Sequence, residues 1–83
     1  MITNSEFNRL SPLKQTQVLF EMGRELMTRR EGEYSIKLYG LEDFFVEIWY
    51  LPRINKVLRV EVVTLDDVMY QYEHEIDIMD LFR

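Results

Sequence analysis

The chain has 83 residues, of which 47% are hydrophobic, with 15 acidic against 10 basic residues and no cysteine. This length fits one domain, and the apolar content is too high for a disordered chain. The lack of cysteine excludes disulfides, thiolate zinc sites and thiol nucleophiles, and the lack of a signal sequence or a long apolar run predicts a soluble cytoplasmic protein with no membrane partner.

The negative charge is concentrated at the C-terminal end. Residues 66–83 hold six acids and one arginine, which equals the formal net charge of −5. Such a surface repels phosphate backbones, and the longest basic run is only Arg29-Arg30, so we expect no nucleic-acid partner. The lone His74 lies among these acids, and we interpret it as an exposed helix residue because no second histidine could share a metal. We therefore predict no metal and no cofactor.

The N-terminal third is expected to be helical. A short turn with Phe7 as an apolar anchor precedes the serine and proline at positions 11–12, a pair that is typical of a helix start. Between residues 13 and 26 the apolar side chains recur at spacings of three and four, which predicts one amphipathic helix that ends near Arg30. Gly23 then falls inside this helix, where we expect a close approach of the helix to a sheet.

Three strands are predicted next, over residues 34–39, 44–51 and 57–63. Glycine and acidic residues separate the first two, and a turn with Pro52 and Asn55 separates the last two. Thr64, with an acid three residues later, then begins a second helix. This helix either runs nearly to the end of the chain or breaks at residues 76–78. The predicted fold is a two-layer α+β domain: a helix, a three-stranded antiparallel meander and a helix.

The preferred strand register follows from polarity. A one-residue slip would exchange the two faces of the sheet. We expect one wholly apolar core face, formed by Phe44, Val46, Ile48, Tyr50, Leu58, Val60 and Val62. Glu47 then lies outside, near Arg59, as a cross-strand ion pair. The other register would bury Glu47 without a partner among apolar side chains, which is costly.

The outer face of this sheet is unusually aromatic. The candidate interaction residues are Phe45, Trp49, Tyr39, Glu47 and Arg59. Contiguous apolar area of this kind marks a surface beneath the C-terminal segment, a contact with another chain, or a surface on which a ligand stacks. The leading hypothesis is a non-enzymatic domain that forms a homodimer or docks a protein partner through this face. Phe45 and Trp49 are its anchors, with Glu47 and Arg59 at the rim.

Two other functions stay open. The first is a small-molecule site or an enzyme, with a pocket between the N-terminal helix and the sheet near Gly23, Tyr34 and Tyr50. The second is an acidic C-terminal helix that docks a basic partner. Glu47 and Glu61 lie on adjacent strands like an acid–base pair, but a sheet exterior of paired charges is commoner, so we predict no catalytic residues.

The segment LYGLEDFFVEIWY at 38–50, followed by NKVLRVE at 55–61, resembles small uncharacterised bacterial proteins with a strand–turn–strand core of this kind. The resemblance covers the middle of the chain. It implies a bacterial origin and an α+β fold. It carries no catalytic motif, so it transfers neither an activity nor a site residue.

Overall fold

The protein is described by a computed structural model, which defines residues 1–73 as a four-stranded antiparallel sheet with helices on both faces. The strands lie side by side in chain order, as a meander. The elements are α1 (Asn4–Asn8), α2 (Pro12–Met22), β1 (Arg24–Glu31), β2 (Tyr34–Leu41), β3 (Phe44–Leu51), a 3-10 turn (Pro52–Ile54), β4 (Lys56–Val63) and α3 (Leu65–Tyr72).

The sheet has four strands where the sequence predicts three, because the first helix is shorter than expected. α2 ends at Met22, and Gly23 follows in an extended conformation with φ −79° and ψ 156°. A Cβ on Gly23 would lie 2.6 Å from the carbonyl oxygen of Leu19 and 3.2 Å from the ring of Tyr39. Only glycine lets the chain leave the helix this close to the sheet.

The segment after Gly23 is β1, and it pairs with β2 from Arg24 to Glu31. Its Arg, Glu, Leu and Met residues are good helix formers, which is why the sequence indicates a helix. Pairing along the whole of β2 supplies a ladder of backbone hydrogen bonds, and this tertiary context outweighs the modest helix propensity. The predicted helix over residues 24–30 is therefore wrong.

Each hairpin turns at a residue with positive φ. These residues are Gly32 (58°), Glu42 (54°) and Asn55 (52°). Gly32 is the first residue of a two-residue loop between Glu31 and Tyr34, a position that favours glycine in hairpin turns. Asn55 takes the left-handed conformation after the turn that begins at Pro52, which confirms the predicted turn.

The helices cover both faces of the sheet, so the two-layer prediction is also wrong. We call the side under α1 and α2 the first face, and the side under α3 the second face. The core of the first face contains Phe7, Leu19, Tyr39, Leu41, Phe44, Val46 and Ile48. On the second face, Val68 and Tyr72 of α3 pack against Leu38. Half-buried Phe45 and Val63 join this second cluster.

The helices are short, and each begins at a side-chain cap. Ser11 accepts a hydrogen bond from the backbone of Lys14, which confirms the predicted start of α2. Thr64 and Asp67 form the reciprocal capping pair that the sequence predicts. Within residues 1–73 no helix has the length and apolar content needed to cross a bilayer. The predicted continuation of α3 and the position of His74 lie outside the described residues.

Candidate functional site

Pairing between β3 and β4 largely follows the preferred register. Val46 lies opposite Val62 and Ile48 opposite Val60, so these four residues share the first face, as predicted. A bulge in β4 then changes the pattern, because Val57 and not Leu58 lies opposite Tyr50. Val57 packs against the first-face core, whereas Leu58 is 45% exposed. The expected place of Leu58 in the core is therefore wrong.

Glu47 is the centre of a buried charged cluster on the second face. It is only 4% exposed. Arg29 donates from Nε to Oε2 at 3.1 Å and from Nη2 to Oε1 at 3.4 Å, and the Tyr72 hydroxyl donates to Oε2 at 2.8 Å. Both carboxylate oxygens are thus bound, and the cluster joins β1, β3 and α3.

The predicted ion pair between Glu47 and Arg59 is not formed. Arg59 instead pairs with Glu61, with Nε 3.4 Å from Oε2, and its guanidinium lies 4.0 Å from the centre of the Trp49 ring. The sequence could not reveal Arg29 as the partner of Glu47, because residues 24–30 read as a helix. Because residues 24–31 form the strand β1, Arg29 lies within hydrogen-bond distance of the Glu47 carboxylate.

The buried environment shifts two pKa values in this cluster. Burial alone would lower the pKa of Arg29, but hydrogen bonds to Glu47 and Glu31 outweigh it and raise that pKa above its usual range. Burial, and then the hydrogen bond to Glu47, raise the pKa of Tyr72. Arg29 is therefore a permanent cation, and Tyr72 keeps its proton and donates a hydrogen bond to the carboxylate. Such a group of satisfied partners is suited to holding α3 against the sheet.

Replacing Tyr72 with phenylalanine is expected to lower the free energy of unfolding by about 1.5–3 kcal/mol, the usual value of a hydrogen bond to a charged group. The effect should depend on pH. An unfolded tyrosine loses its proton near pH 10, whereas folded Tyr72 keeps it, so its contribution is present below about pH 10 and is lost as the pH rises further. Urea unfolding of both proteins between pH 7 and 11 checks this.

The pH dependence has a built-in control. Burial also raises the pKa of Tyr39, so the wild-type protein loses stability at alkaline pH through two tyrosines. At alkaline pH the Tyr72→Phe protein should still lose the stability that depends on Tyr39. Its total loss of stability should therefore be smaller than that of the wild type. Equal alkaline losses in both proteins would contradict the hydrogen-bonded role of Tyr72.

The candidate interaction residues do not share one exposed face. Tyr39 lies opposite Val46 on the first face and is only 6% exposed, so its assignment to the outer face is wrong. The pleat explains this, because Tyr39 alternates with Leu38, which points to the second face. Phe45 is on the second face, but it packs against the cluster that contains α3. Part of the expected aromatic surface is therefore covered by the chain itself.

Two aromatic side chains meet at the end of the second face that lies beyond Tyr72. Tyr34 and Trp49 meet edge to face, with ring centres 5.5 Å apart and an interplanar angle of 66°. Leu58 and Arg59 line the same shallow depression. The indole Nε1 of Trp49 is buried and has no hydrogen-bond acceptor in the described part of the chain. We call Tyr34, Trp49, Leu58 and Arg59 the aromatic end.

A groove of about 470 Å³ lies on the first face between α2 and the sheet. Its lining residues are Phe20, Lys37, Ile48, Tyr50, Asn55 and Val57. The Tyr50 hydroxyl donates a hydrogen bond to the Asn55 side chain. Tyr50 is thus where the small-molecule hypothesis places it. Tyr34 lies on the opposite face and Gly23 packs against Tyr39, so these three residues do not line one pocket.

The geometry thus offers a satisfied charged cluster, an aromatic end and an open groove. Within residues 1–73, no three His, Cys, Asp or Glu side chains converge as a metal site requires. Comparison with protein-family models, with curated proteins and with solved structures gives no match to this chain. The resemblance at residues 38–50 and 55–61 stays a prediction.

Proposed function

We propose that this chain is a non-enzymatic protein-interaction domain that self-associates through one side of its sheet. This side consists of the outer edge of β4 together with the aromatic end, and we call it the β4 side. Trp49 and Arg59 are its anchors. They belong to the outer-face residues expected from the sequence, whereas Phe45 and Glu47 lie beneath α3 and serve to hold that helix.

The observation that carries the proposal is the contrast between the two edges of the sheet. β1 has five charged residues among eight, which is typical of an edge that avoids pairing. β4 has only three charged residues among eight, and the other five are four valines and one leucine. Within residues 1–73, no strand pairs with the outer side of β4. Such an edge can accept another strand.

The aromatic end adds side-chain contacts to this edge. Leu58 is 45% exposed beside Trp49, and Arg59 covers the indole ring with its guanidinium. Trp and Arg are the residue types that most often dominate protein interfaces, particularly where they meet in a partly desolvated depression.

The buried cluster supports a structural rather than a catalytic use of the carboxylates. Glu47 and Glu61 are cross-strand neighbours, as an acid–base pair would need. Each is bound to its own arginine, Glu47 to Arg29 and Glu61 to Arg59. Glu47 also accepts the Tyr72 hydrogen bond and is buried, so it has no route to a substrate proton.

Replacing Leu58 with serine is expected to weaken self-association about tenfold or more, because a buried leucine contributes roughly 1.5–3 kcal/mol. Sedimentation equilibrium of the wild-type and variant proteins measures the dissociation constants. Ile54→Ser is the matched control, since Ile54 is similarly exposed at 53% but lies in the turn before β4. Equal dissociation constants for the Leu58→Ser and wild-type proteins would contradict the proposed surface.

A further inference from the structure

We infer that two copies of the chain pair through antiparallel β4 strands centred on Val60, with Arg59 of each copy opposite Glu61 of the other. This inference rests on the proposed function and adds the partner's geometry to it. The result is one continuous eight-stranded sheet with a two-fold axis normal to it, a closed arrangement that uses each β4 edge once.

The part of β4 available for such pairing is the segment from Arg59 to Val63. It pairs with β3 without interruption, from Trp49 opposite Arg59 to Phe45 opposite Val63. The bulge before Arg59 disturbs the ladder and bends the strand, so it limits pairing on that side. A second strand therefore meets a regular backbone only over these five residues and their immediate neighbours.

Symmetry then restricts the register. Residues that lie directly opposite each other in an antiparallel pair project to the same face, so the two-fold axis must pass through a residue and not between two residues. Arg59 and Glu61 both lie on the second face, opposite Trp49 and Glu47. The valines of this segment that alternate with them, Val60 and Val62, lie on the first face.

The charges on β4 favour one position of the two-fold axis over the others. An axis at Arg59 places two arginines opposite each other, and an axis at Glu61 places two glutamates opposite each other, and both are destabilising. An axis at Val62 places Glu61 opposite Val63, which has no charge to pair with it. An axis at Val60 places Arg59 opposite Glu61 twice and brings Val60 against its own copy.

A second copy fits this edge better than an unrelated chain because the edge is self-complementary. Arg59 and Glu61 are equally spaced about Val60, so the same two charges satisfy both strands. Their pair within one copy is long, at 3.4 Å, and both side chains are about half exposed, at 53% and 48%. Such a pair contributes little to one copy, so both charges remain available to a second.

Charge reversal tests this register. Arg59→Glu and Glu61→Arg, each measured alone, place like charges opposite each other twice, and each should weaken self-association about tenfold or more. An equimolar mixture of the two variants places glutamates opposite arginines again, so it should form heterodimers with nearly wild-type affinity. The double variant R59E/E61R restores the same pairs within one sequence and should self-associate like the wild type.

Arg53→Glu is the control for the change in net charge, since Arg53 lies in the turn before β4, pairs with Glu33 and is exposed. It should leave association within about twofold of the wild type. Circular dichroism of each variant checks that the fold is kept, and rescue by mixing excludes a folding defect as the cause. If the single variants associate like the wild type, or if the mixture stays monomeric, the register is wrong. A wild-type protein that never self-associates overturns the proposed function itself.

Discussion

Replacing Glu47 with alanine is expected to lower the free energy of unfolding by about 3–5 kcal/mol, the usual cost of breaking a buried ion pair from one side. The substitution removes the carboxylate that binds Arg29 twice and Tyr72 once. The Arg29 side chain is only 11% exposed and would keep its charge, with the exposed Glu31 as its remaining carboxylate partner. A chain of this length has about 4–12 kcal/mol of stability, so the substitution should remove a large share of it.

Two controls separate the buried pair from a general loss of charge. Glu25→Ala removes a carboxylate that is 50% exposed and lies 3.5 Å from Lys37, and it should cost under about 1 kcal/mol. The double variant Arg29→Met with Glu47→Leu replaces both charges by apolar groups, and it should be clearly more stable than Glu47→Ala. Urea unfolding measures all three. A Glu47→Ala protein as stable as Glu25→Ala would contradict the role of the cluster.

Phe7→Ala is expected to destabilise the domain by about 3–5 kcal/mol, as truncation of a buried phenylalanine usually does. Phe7 lies in the short helix α1 and is completely buried in the first-face core. Its ring contacts Phe44, with centres 5.8 Å apart. Its carbonyl also accepts a hydrogen bond from the buried Gln15 side chain at 3.0 Å. The N-terminal residues are thus part of the core.

Phe20→Ala is the matched control for this substitution, because it deletes the same ring from a surface position. Phe20 lies on α2 and is 65% exposed, with its ring 6.3 Å from that of Tyr39. We expect a loss under about 1.5 kcal/mol, since little apolar area returns to water. Thermal and urea unfolding give both values. A Phe7→Ala protein no less stable than Phe20→Ala would show that α1 does not hold the core.

Features set by local chemistry were predictable from the sequence. The pair at 11–12 and the cap at Thr64 place two helix starts correctly, because one side chain and a few backbone amides decide them. The alternation in residues 34–39 and the aromatic and β-branched residues at 44–51 locate β2 and β3. The left-handed Asn55 was also predictable, since asparagine tolerates positive φ better than most residues.

Features set by distant contacts were not predictable in the same way. Residues 24–30 carry a helical spacing and good helix formers, and only the adjacent edge of β2 makes them a strand. The one local signal was the two-residue loop at Gly32, which is typical of a hairpin. Missing β1 hid Arg29, and so the predicted partner of Glu47 was Arg59.

The candidate surface was predictable only in part. Trp49 and Arg59 lie together as a cation over a ring, on the face that the register gives them. Phe45 is on the same face, but the sequence does not tell which face α3 will cover. Tyr39 was assigned to the wrong face because the pairing of β2 with β3, which places it opposite Val46, depends on a turn whose length is not fixed by polarity.

The most direct test of self-association is the solution mass of the wild-type chain, measured by light scattering over a hundredfold range of concentration. One chain has a mass of 10.2 kDa. We expect the mass to rise with concentration to twice that value and to stop there, because pairing of two β4 edges is closed. A mass of one chain at every concentration would contradict the account, and growth beyond a dimer would contradict closed pairing at β4.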